Sequence, residues 1–202
     1  MSSLESIFLG FLPKEIVLCP EWLGVPHIKQ ICSVSSCISA RPPNMFATDE
    51  WNYNRAGLYN DFDSAFAAIP TDEQDKYEIF AYKAYPIQID ESGIIHEVNI
   101  LEHLPGLPEE INPEPDLTDF CRIGYDVVEG IRSLSFGCSP LSCNLQAKCY
   151  KVNEFCLIDD LRRAIEVGVN IAISRRGEPP PYYIFEVYRE KNSLTGMSFA
   201  PK

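Results

Sequence analysis

Two stretches of the chain, residues 57–87 and residues 155–190, share one order of hydrophobic and polar positions. In each stretch an apolar pair precedes a segment whose apolar residues recur with helical spacing and whose start is marked by aspartate. Each stretch ends in a run of aromatic and β-branched residues, "YEIFAYKAY" in the first and "YYIFEVYRE" in the second. Such runs are typical of strands. We therefore predict an aspartate-capped helix followed by a strand in both stretches.

The ends of the two predicted helices are marked by residues with defined local roles. Asn60 or Asp61 can cap the first helix by accepting a hydrogen bond from a backbone N–H of its first turn. Asp159 or Asp160 can do the same for the second helix. Pro70 ends the first helix, because proline cannot continue the hydrogen-bond ladder. The apolar face predicted for the second helix consists of Leu161, Ile165, Gly168 and Ala172.

Each predicted helix also follows an extended segment and a polar loop. The first such pair is "CSVSSCIS" and "ARPPN", and the second is "IGYDVV" and "FGCSPLSCN". A unit of strand, loop, strand, helix and strand used twice would be an internal pseudo-duplication. Chance similarity between two ordinary helix–strand units is the alternative. If the duplication holds, the "RPPN" and "CSPLSCN" loops occupy equivalent positions and line one cleft.

A hairpin and a proline-rich segment separate the two halves of the chain. The hairpin joins "YEIFAYKAYPIQID" to "IIHEVNI" through a tight turn, in which Gly93 tolerates a positive φ. Residues 103–116 have the composition of an exposed loop. We predict one α+β domain over residues 1–202, with a mixed, mostly antiparallel sheet and at least two covering helices. Its halves would be residues 1–102 and 117–202, joined by loop 103–116.

The charge of the chain restricts its partners. Seventeen basic and 29 acidic residues give a formal net charge of −12. Such a surface repels phosphate backbones, so we expect no binding of nucleic acid. One explanation of an acidic surface is that it serves solubility alone. The alternative explanation is a surface that meets a basic protein partner, because complementary charge speeds association and fixes its register.

The N-terminal stretch "MSSLESIFLGFLPKE" contains an apolar run of the kind found in targeting segments. It has no basic start, and its apolar run is too short to span a membrane. We therefore expect no membrane association and a cytoplasmic location. In a reducing cytoplasm the eight cysteines would remain thiols.

Three of those cysteines lie within the stretch "FGCSPLSCNLQAKCY", and Cys156 follows closely. Zinc sites use cysteine pairs with two to four intervening residues. Cys138 and Cys143 have four residues between them, but Cys149 and Cys156 have six. In addition, "YKVNEFCL" has the pattern of a strand, which would point the second pair to opposite faces. We therefore predict no metal site and no cofactor.

Two other interpretations of these thiols remain. A nucleophilic cysteine needs a base or a positive environment. Gly137 and small polar residues place Cys138 and Cys143 in a tight, solvent-facing loop, so they are the candidate catalytic thiols, with His96 as a conceivable base. No hydrolase signature accompanies them. Alternatively, cysteine packs as a small buried hydrophobe. The other six cysteines, Cys37 among them, fit that interpretation.

A second unusual stretch, "ARPPNMFATDEWNYNRAGLY" (residues 40–59), is loop-like and rich in Arg, Trp and Tyr. These residue types dominate binding hot spots, and an arginine in an acidic chain can hold a phosphate or carboxylate. The alternative is that the aromatic residues anchor the loop to the core. The candidate binding residues are Arg41, Asn44, Trp51, Asn52, Tyr53 and Arg55, together with Ser139, Ser142 and Asn144 in the cysteine-rich loop.

These observations lead to two hypotheses about function. The first is an acidic intracellular interaction or inhibitor-type protein that binds a basic protein partner. The second is a small-molecule enzyme, thiol-dependent or transferring a group from a nucleotide, with its site between loops 40–59 and 136–144. No motif decides between them, so whether the protein is an enzyme stays open at this stage.

Overall fold

An antiparallel sheet contains the long strands of the molecule. The computed structural model describes residues 4–42, 57–103, 115–132 and 135–191. The strands are β1 (Ile7–Glu15), β2 (Tyr77–Ile89), β3 (Ile95–Glu97), β4 (Phe120–Glu129), β5 (Ile131–Arg132), β6 (Ser135–Phe136) and β7 (Tyr182–Glu190). The α-helices are α1 (Phe62–Ala67), α2 (Ile100–His103), α3 (Pro140–Cys143) and α4 (Leu161–Ser174). Short 3₁₀ helices cover Glu21–Leu23, Gln74–Lys76 and Gln146–Lys148.

The main sheet has the strand order β1-β2-β7-β4, with β3 paired to β2, and β5 and β6 form a separate two-stranded ribbon. Every strand pairing in the described ranges is antiparallel. The predicted α+β class with a mostly antiparallel sheet is confirmed. Strand β7 from the second half of the chain lies between β2 and β4, so strands of both halves are neighbours. The pseudo-duplication stays a prediction, and residues 104–114 of the predicted joining loop lie outside the described residues.

Several helices, strands and turns lie where short-range features of the sequence predict them. The Asp61 side chain accepts a hydrogen bond from Ser64 N (2.8 Å) and begins α1. The Asp160 side chain accepts one from Arg163 N (2.9 Å) and begins α4. Gly93 has a φ of 79° in the turn between β2 and β3, as the hairpin requires. The predicted strands at β2 and β7 are also present.

Helix α4 packs against the sheet with the face that its sequence predicts, slightly rotated. Gly168 and Ala172 are buried, as predicted, whereas Leu161 and Ile165 are half-buried at the border of the face. A Cβ at Gly168 would lie 2.6 Å from Ile89 Cδ1 on β2. Glycine therefore permits the close approach of this helix to the sheet.

Strand β1 is absent from the sequence prediction. Its residues are buried almost without interruption, so the run lacks the alternation that marks a half-exposed strand. It pairs along one side with β2, and Pro13 is tolerated because β1 lies at the end of the strand order. No helix in the described part of the chain is long and apolar enough to cross a membrane.

Two predicted extended segments are wrong. "CSVSSCIS" forms turns and bends, because Ser33 Oγ accepts from Ser35 N (3.0 Å) and Ser35 Oγ accepts from Cys37 N (3.3 Å). "YKVNEFCL" also turns, because Asn153 Oδ1 accepts from Phe155 N and Leu157 N. In both segments a short polar side chain binds the local backbone and competes with strand formation.

Candidate functional site

Three cysteine side chains from two distant parts of the chain meet in one cluster. The Sγ atoms of Cys37, Cys138 and Cys143 all lie within 4.8 Å of one another. The Sγ atoms of Cys37 and Cys138 are 3.0 Å apart, although 101 positions separate these residues along the chain. Cys37 is exposed, and the other two are half-buried. The expectation of a buried hydrophobe is therefore wrong for Cys37, whose turn reaches the surface beside Cys138. It is also wrong for Cys149, which is exposed.

A buried carboxylate brings the two cysteine-bearing segments together. Asp126 lies on β4 and is fully buried. It accepts hydrogen bonds from Ser33 Oγ (2.6 Å) and Val34 N (3.1 Å) in the first segment. It also accepts one from Ser139 Oγ (2.6 Å), next to Cys138 in the second segment. One side chain thus fixes both sides of the thiol cluster.

Gly137 allows the second segment to lie against β4. Cys138 O accepts a hydrogen bond from Glu129 N (2.9 Å) at the end of that strand. A Cβ at Gly137 would overlap the carbonyl oxygen of Glu129. The close approach therefore requires glycine at this position, directly before Cys138.

A buried lysine holds the backbone of the first cysteine-bearing segment, which contains Ser33 and Ser35. Lys14 on β1 is 1% exposed, and its Nζ donates to Ser33 O (2.7 Å) and to Ser35 O. Burial, reinforced by the positive charge of Arg41, lowers the pKa of Lys14 from 10.5 to about 7. The negative charge of Asp126 opposes this shift in pKa. The Lys14 amine is therefore near its titration midpoint at neutral pH.

The three thiols of the cluster differ in acidity. Burial favours a higher pKa at Cys37, but hydrogen bonds from Ser35, Cys138 and Cys143 outweigh it, so its pKa is lowered. Burial, and then the hydrogen bond to Cys37, raises the pKa of Cys138. Burial, and then the negative charge on Cys37, raises the pKa of Cys143. The first proton to leave the cluster is therefore that of Cys37.

The structure brings most of the described candidate residues to this cluster or its border. Ser142 is buried, with its Oγ 3.8 Å from Cys143 Sγ. Asn144 follows α3, and its buried Oδ1 has no hydrogen-bond partner among the described residues. Arg41 donates from Nε to Ser36 Oγ (3.1 Å) and from a terminal nitrogen to Gly57 O (3.4 Å). These bonds connect Arg41 to Ser36, the neighbour of Cys37, and to the backbone at Gly57.

One further described candidate, His96, lies away from the cluster. His96 Nε2 is 2.7 Å from the Asp90 carboxylate in the turn between β2 and β3, and this pairing does not involve the thiols. Five predicted binding residues lie outside the described residues, namely Asn44, Trp51, Asn52, Tyr53 and Arg55.

Sequence reasoning missed Lys14, Asp126 and Cys37 as members of the site. Two of them carried a signal, since Asp126 is the one charged residue in the run "IGYDVV", and Lys14 lies in "LGFLPKEIVL", where only its neighbour Glu15 is also charged. A charge within a buried strand is costly unless it is paired, and such positions often mark functional sites. Cys37 carried no such signal, because only its tertiary neighbours distinguish it from the other cysteines.

A cleft of about 280 Å³, here called the acidic cleft, lies on a part of the surface that does not include the three cysteines. Its walls combine aromatic rings with carboxylates: Phe11, Phe62 and Phe120 with Asp61, Asp116, Asp119 and Glu190. Two of these carboxylates also have local roles, because Asp61 caps α1 and Asp116 accepts from Thr118 N (2.9 Å).

No family model, curated protein or solved structure matches this chain. The function is therefore argued from the chemistry of the site.

Proposed function

We propose that this protein reduces disulfides by thiol–disulfide exchange, with Cys37 as the attacking sulfur and Cys138 as the resolving sulfur. The observation that carries the proposal is the position of an exposed Cys37 Sγ only 3.0 Å from Cys138 Sγ. An attacking thiol must be accessible to a substrate sulfur, and a resolving thiol must lie beside it. The pair meets both requirements. This function belongs to the thiol-dependent class that the sequence offered as the second hypothesis.

The reaction consists of two exchanges. The Cys37 thiolate attacks one sulfur of a substrate disulfide, whose S–S bond breaks, and the other substrate sulfur leaves as a thiolate. That thiolate takes the proton of Cys138, whose sulfur then attacks Cys37 Sγ and releases the second substrate sulfur. The products are a Cys37–Cys138 disulfide and two substrate sulfurs, one as thiol and one as thiolate, which solvent protonates. Two electrons pass from the protein to the substrate. A low-molecular-weight thiol returns the pair to its reduced form by the reverse exchanges.

We expect Cys37→Ser to lower the rate of reduction of an aromatic disulfide by about tenfold or more, because the accessible attacking sulfur is lost. In Cys138→Ser the first exchange still occurs, but the mixed disulfide on Cys37 persists. The measurement is release of the aromatic thiolate under single-turnover conditions, with mass spectrometry of the protein product. Cys149→Ser removes an exposed thiol outside the cluster and is the matched control. A Cys37→Ser variant that reacts like the Cys149→Ser variant would refute the proposal.

Binding of a basic protein partner is the second candidate function, and the acidic cleft favours it. Asp116, Asp119 and Phe120 all line that cleft. Carboxylates attract an ammonium or guanidinium group, and aromatic rings pack against its alkyl chain and its charge. The overall charge of −12 would add long-range attraction.

We expect reversal of both cleft charges, Asp116→Lys with Asp119→Lys, to weaken binding of a lysine-rich peptide by about tenfold at low salt. The matched control reverses two exposed acids, Asp72→Lys in the turn after Pro70 with Asp75→Lys in the 3₁₀ helix that follows, which changes the net charge equally. The measurement is peptide affinity by fluorescence anisotropy at two salt concentrations. Equal weakening in both variants would mean that the peptide responds only to net charge, and the cleft would then have no special role.

A further inference from the structure

We propose that Cys37, Cys138 and Cys143 together bind a thiophilic metal ion, Zn²⁺, through three sulfur ligands and leave a fourth coordination position open to solvent. The exchange reaction uses two sulfurs, and the third is unexplained by it. Cys143 Sγ nevertheless lies within 4.8 Å of both other Sγ atoms. This inference concerns the same side chains as the proposed function but does not depend on the exchange reaction.

The distances between the sulfurs suit one shared ion. A Zn–S bond of about 2.3 Å in a tetrahedral site places ligand sulfurs about 3.8 Å apart. The three Sγ atoms already lie within 4.8 Å of one another, and the closest pair is 3.0 Å apart. Side-chain rotation therefore suffices to bring all three sulfurs to an ion, with the closest pair separating by less than an ångström.

The ligand spacing explains why the sequence did not predict this site. The expectation of no metal site considered only cysteines that are close along the chain. Cys138 and Cys143, with four residues between them, remain a permitted pair. The third sulfur comes from Cys37, which reaches them through the fold. Cys149 and Cys156 are not needed, and Cys156 is buried.

The surroundings hold the two cysteine-bearing segments in place and offer hydroxyl groups to the sulfur of Cys143. Asp126 bonds to both cysteine-bearing segments. The hydroxyl oxygens of Ser142 and Ser35 lie 3.8 and 3.9 Å from Cys143 Sγ. Hydroxyl groups at such positions orient ligands and donate to their sulfur, as the outer groups of metal sites do.

The combined charge of the zinc ion and its three thiolate ligands is also small enough for this site. Three thiolates and one Zn²⁺ ion have a combined charge of −1. The ammonium group of Lys14 acts electrostatically on Cys143 and on Cys37 and can offset that charge. Soft thiolate ligands favour zinc and other thiophilic ions over magnesium and calcium.

The fourth position would be accessible. Among the residues that the structure describes, this ligand cluster contains the three cysteines and no histidine or carboxylate. Cys37 is exposed, so solvent reaches the cluster from its side. Zinc with three protein ligands and one water keeps a position for an incoming ligand, unlike a structural site with four protein ligands.

The test is a titration of the fully reduced protein with Zn²⁺ alone in the absence of oxygen, followed by native mass spectrometry. We expect one zinc ion per chain. Three thiols should then be protected from alkylation, and tryptic mapping should identify them as Cys37, Cys138 and Cys143. Cys143→Ser should weaken binding by about a hundredfold, since a ligand is lost. Cys37→Ser should weaken zinc binding to the same extent, and because Cys37 is exposed this change leaves the core intact. Cys149→Ser should bind zinc like the wild type.

Failure of this inference differs from failure of the proposed function. If the wild-type protein binds no zinc, or if alkylation shows protection of other thiols, the metal site is refuted, even where disulfide exchange by Cys37 proceeds. If zinc binds to the three thiols but disulfide reduction does not require Cys37, the metal site stands and the exchange function is refuted. Each activity is measured on the same reduced preparation with its own readout, so failure of one is distinguishable from failure of the other.

Discussion

Asp126→Ala is expected to lower the free energy of unfolding by about 3–5 kcal/mol, more than the loss of an ordinary surface carboxylate. The carboxylate is fully buried and accepts hydrogen bonds from Ser33, Val34 and Ser139. Alanine would leave two hydroxyl groups and one backbone N–H buried without an acceptor. It would also remove the negative charge that acts on Lys14. Both effects destabilise the folded chain, because nothing in the interior replaces the lost partner.

The measurement is urea denaturation near neutral pH, with Asp90→Ala as the matched control. Asp90 also accepts hydrogen bonds from Ser92 N, Ser92 Oγ and Ile94 N, and it pairs with His96, but it lies in a surface turn. Water can satisfy those donors when its carboxylate is removed, so we expect a loss of only about 1 kcal/mol. Asp126→Asn, which keeps the size and one acceptor oxygen, should lie between the two. Equal losses for Asp126→Ala and Asp90→Ala would contradict the structural role assigned to Asp126.

Lys14 is expected to make the stability of the protein rise with pH above neutrality. Its pKa is lowered from 10.5 to about 7, chiefly by burial and then by Arg41, while Asp126, Cys32 and Cys143 act in the opposite direction. Between these two pKa values the unfolded chain holds one proton more than the folded chain. Stability therefore increases with pH in this window, by at most about 1.4 kcal/mol per pH unit. Below pH 7 both states are protonated, and the dependence on Lys14 ends.

The measurement compares the wild type with Lys14→Met by urea denaturation between about pH 7 and 8.5. Methionine has a similar length and does not titrate, so the difference between the two pH profiles isolates Lys14. We expect the wild type to gain about 1–2 kcal/mol relative to Lys14→Met across this interval. The interval avoids higher pH, where ionisation of cysteines in the unfolded chain acts in the opposite direction, because burial raises the pKa of Cys32 and Cys156 in the folded chain. Parallel profiles would mean that Lys14 has an ordinary pKa in the folded protein.

Zinc binding would use both sulfurs of the exchange reaction together with Cys143, and this has a consequence for any physiological role. A Cys37–Cys138 disulfide leaves Cys143 as the one remaining ligand of the cluster. Oxidation would therefore release the metal ion, and bound metal would protect the thiols from oxidation. The hydrogen bonds of Lys14 and Asp126 would serve both proposed activities, because they position the turn of Ser33 and Ser35 that precedes Cys37.

The sequence by itself determined the features that depend on neighbours a few residues apart. Asp61 and Asp160 cap helices through bonds to residues three positions ahead. Gly93 forms the hairpin turn, and the aromatic and β-branched runs at β2 and β7 form strands. The same local reasoning failed at Ser33 and Ser35, because their side chains bind the backbone and replace the expected strand with turns.

Only the tertiary structure decided which cysteines meet. Cys37 and Cys138 are 101 positions apart, and no periodicity or spacing relates them. They meet because the carboxylate of Asp126, buried on β4, needs hydrogen-bond donors and finds them in both cysteine-bearing segments. A buried charge must be satisfied by whatever polar groups the fold brings to it, and these groups can come from anywhere along the chain. Because both cysteine-bearing segments bond to Asp126, their three thiols lie together in one site.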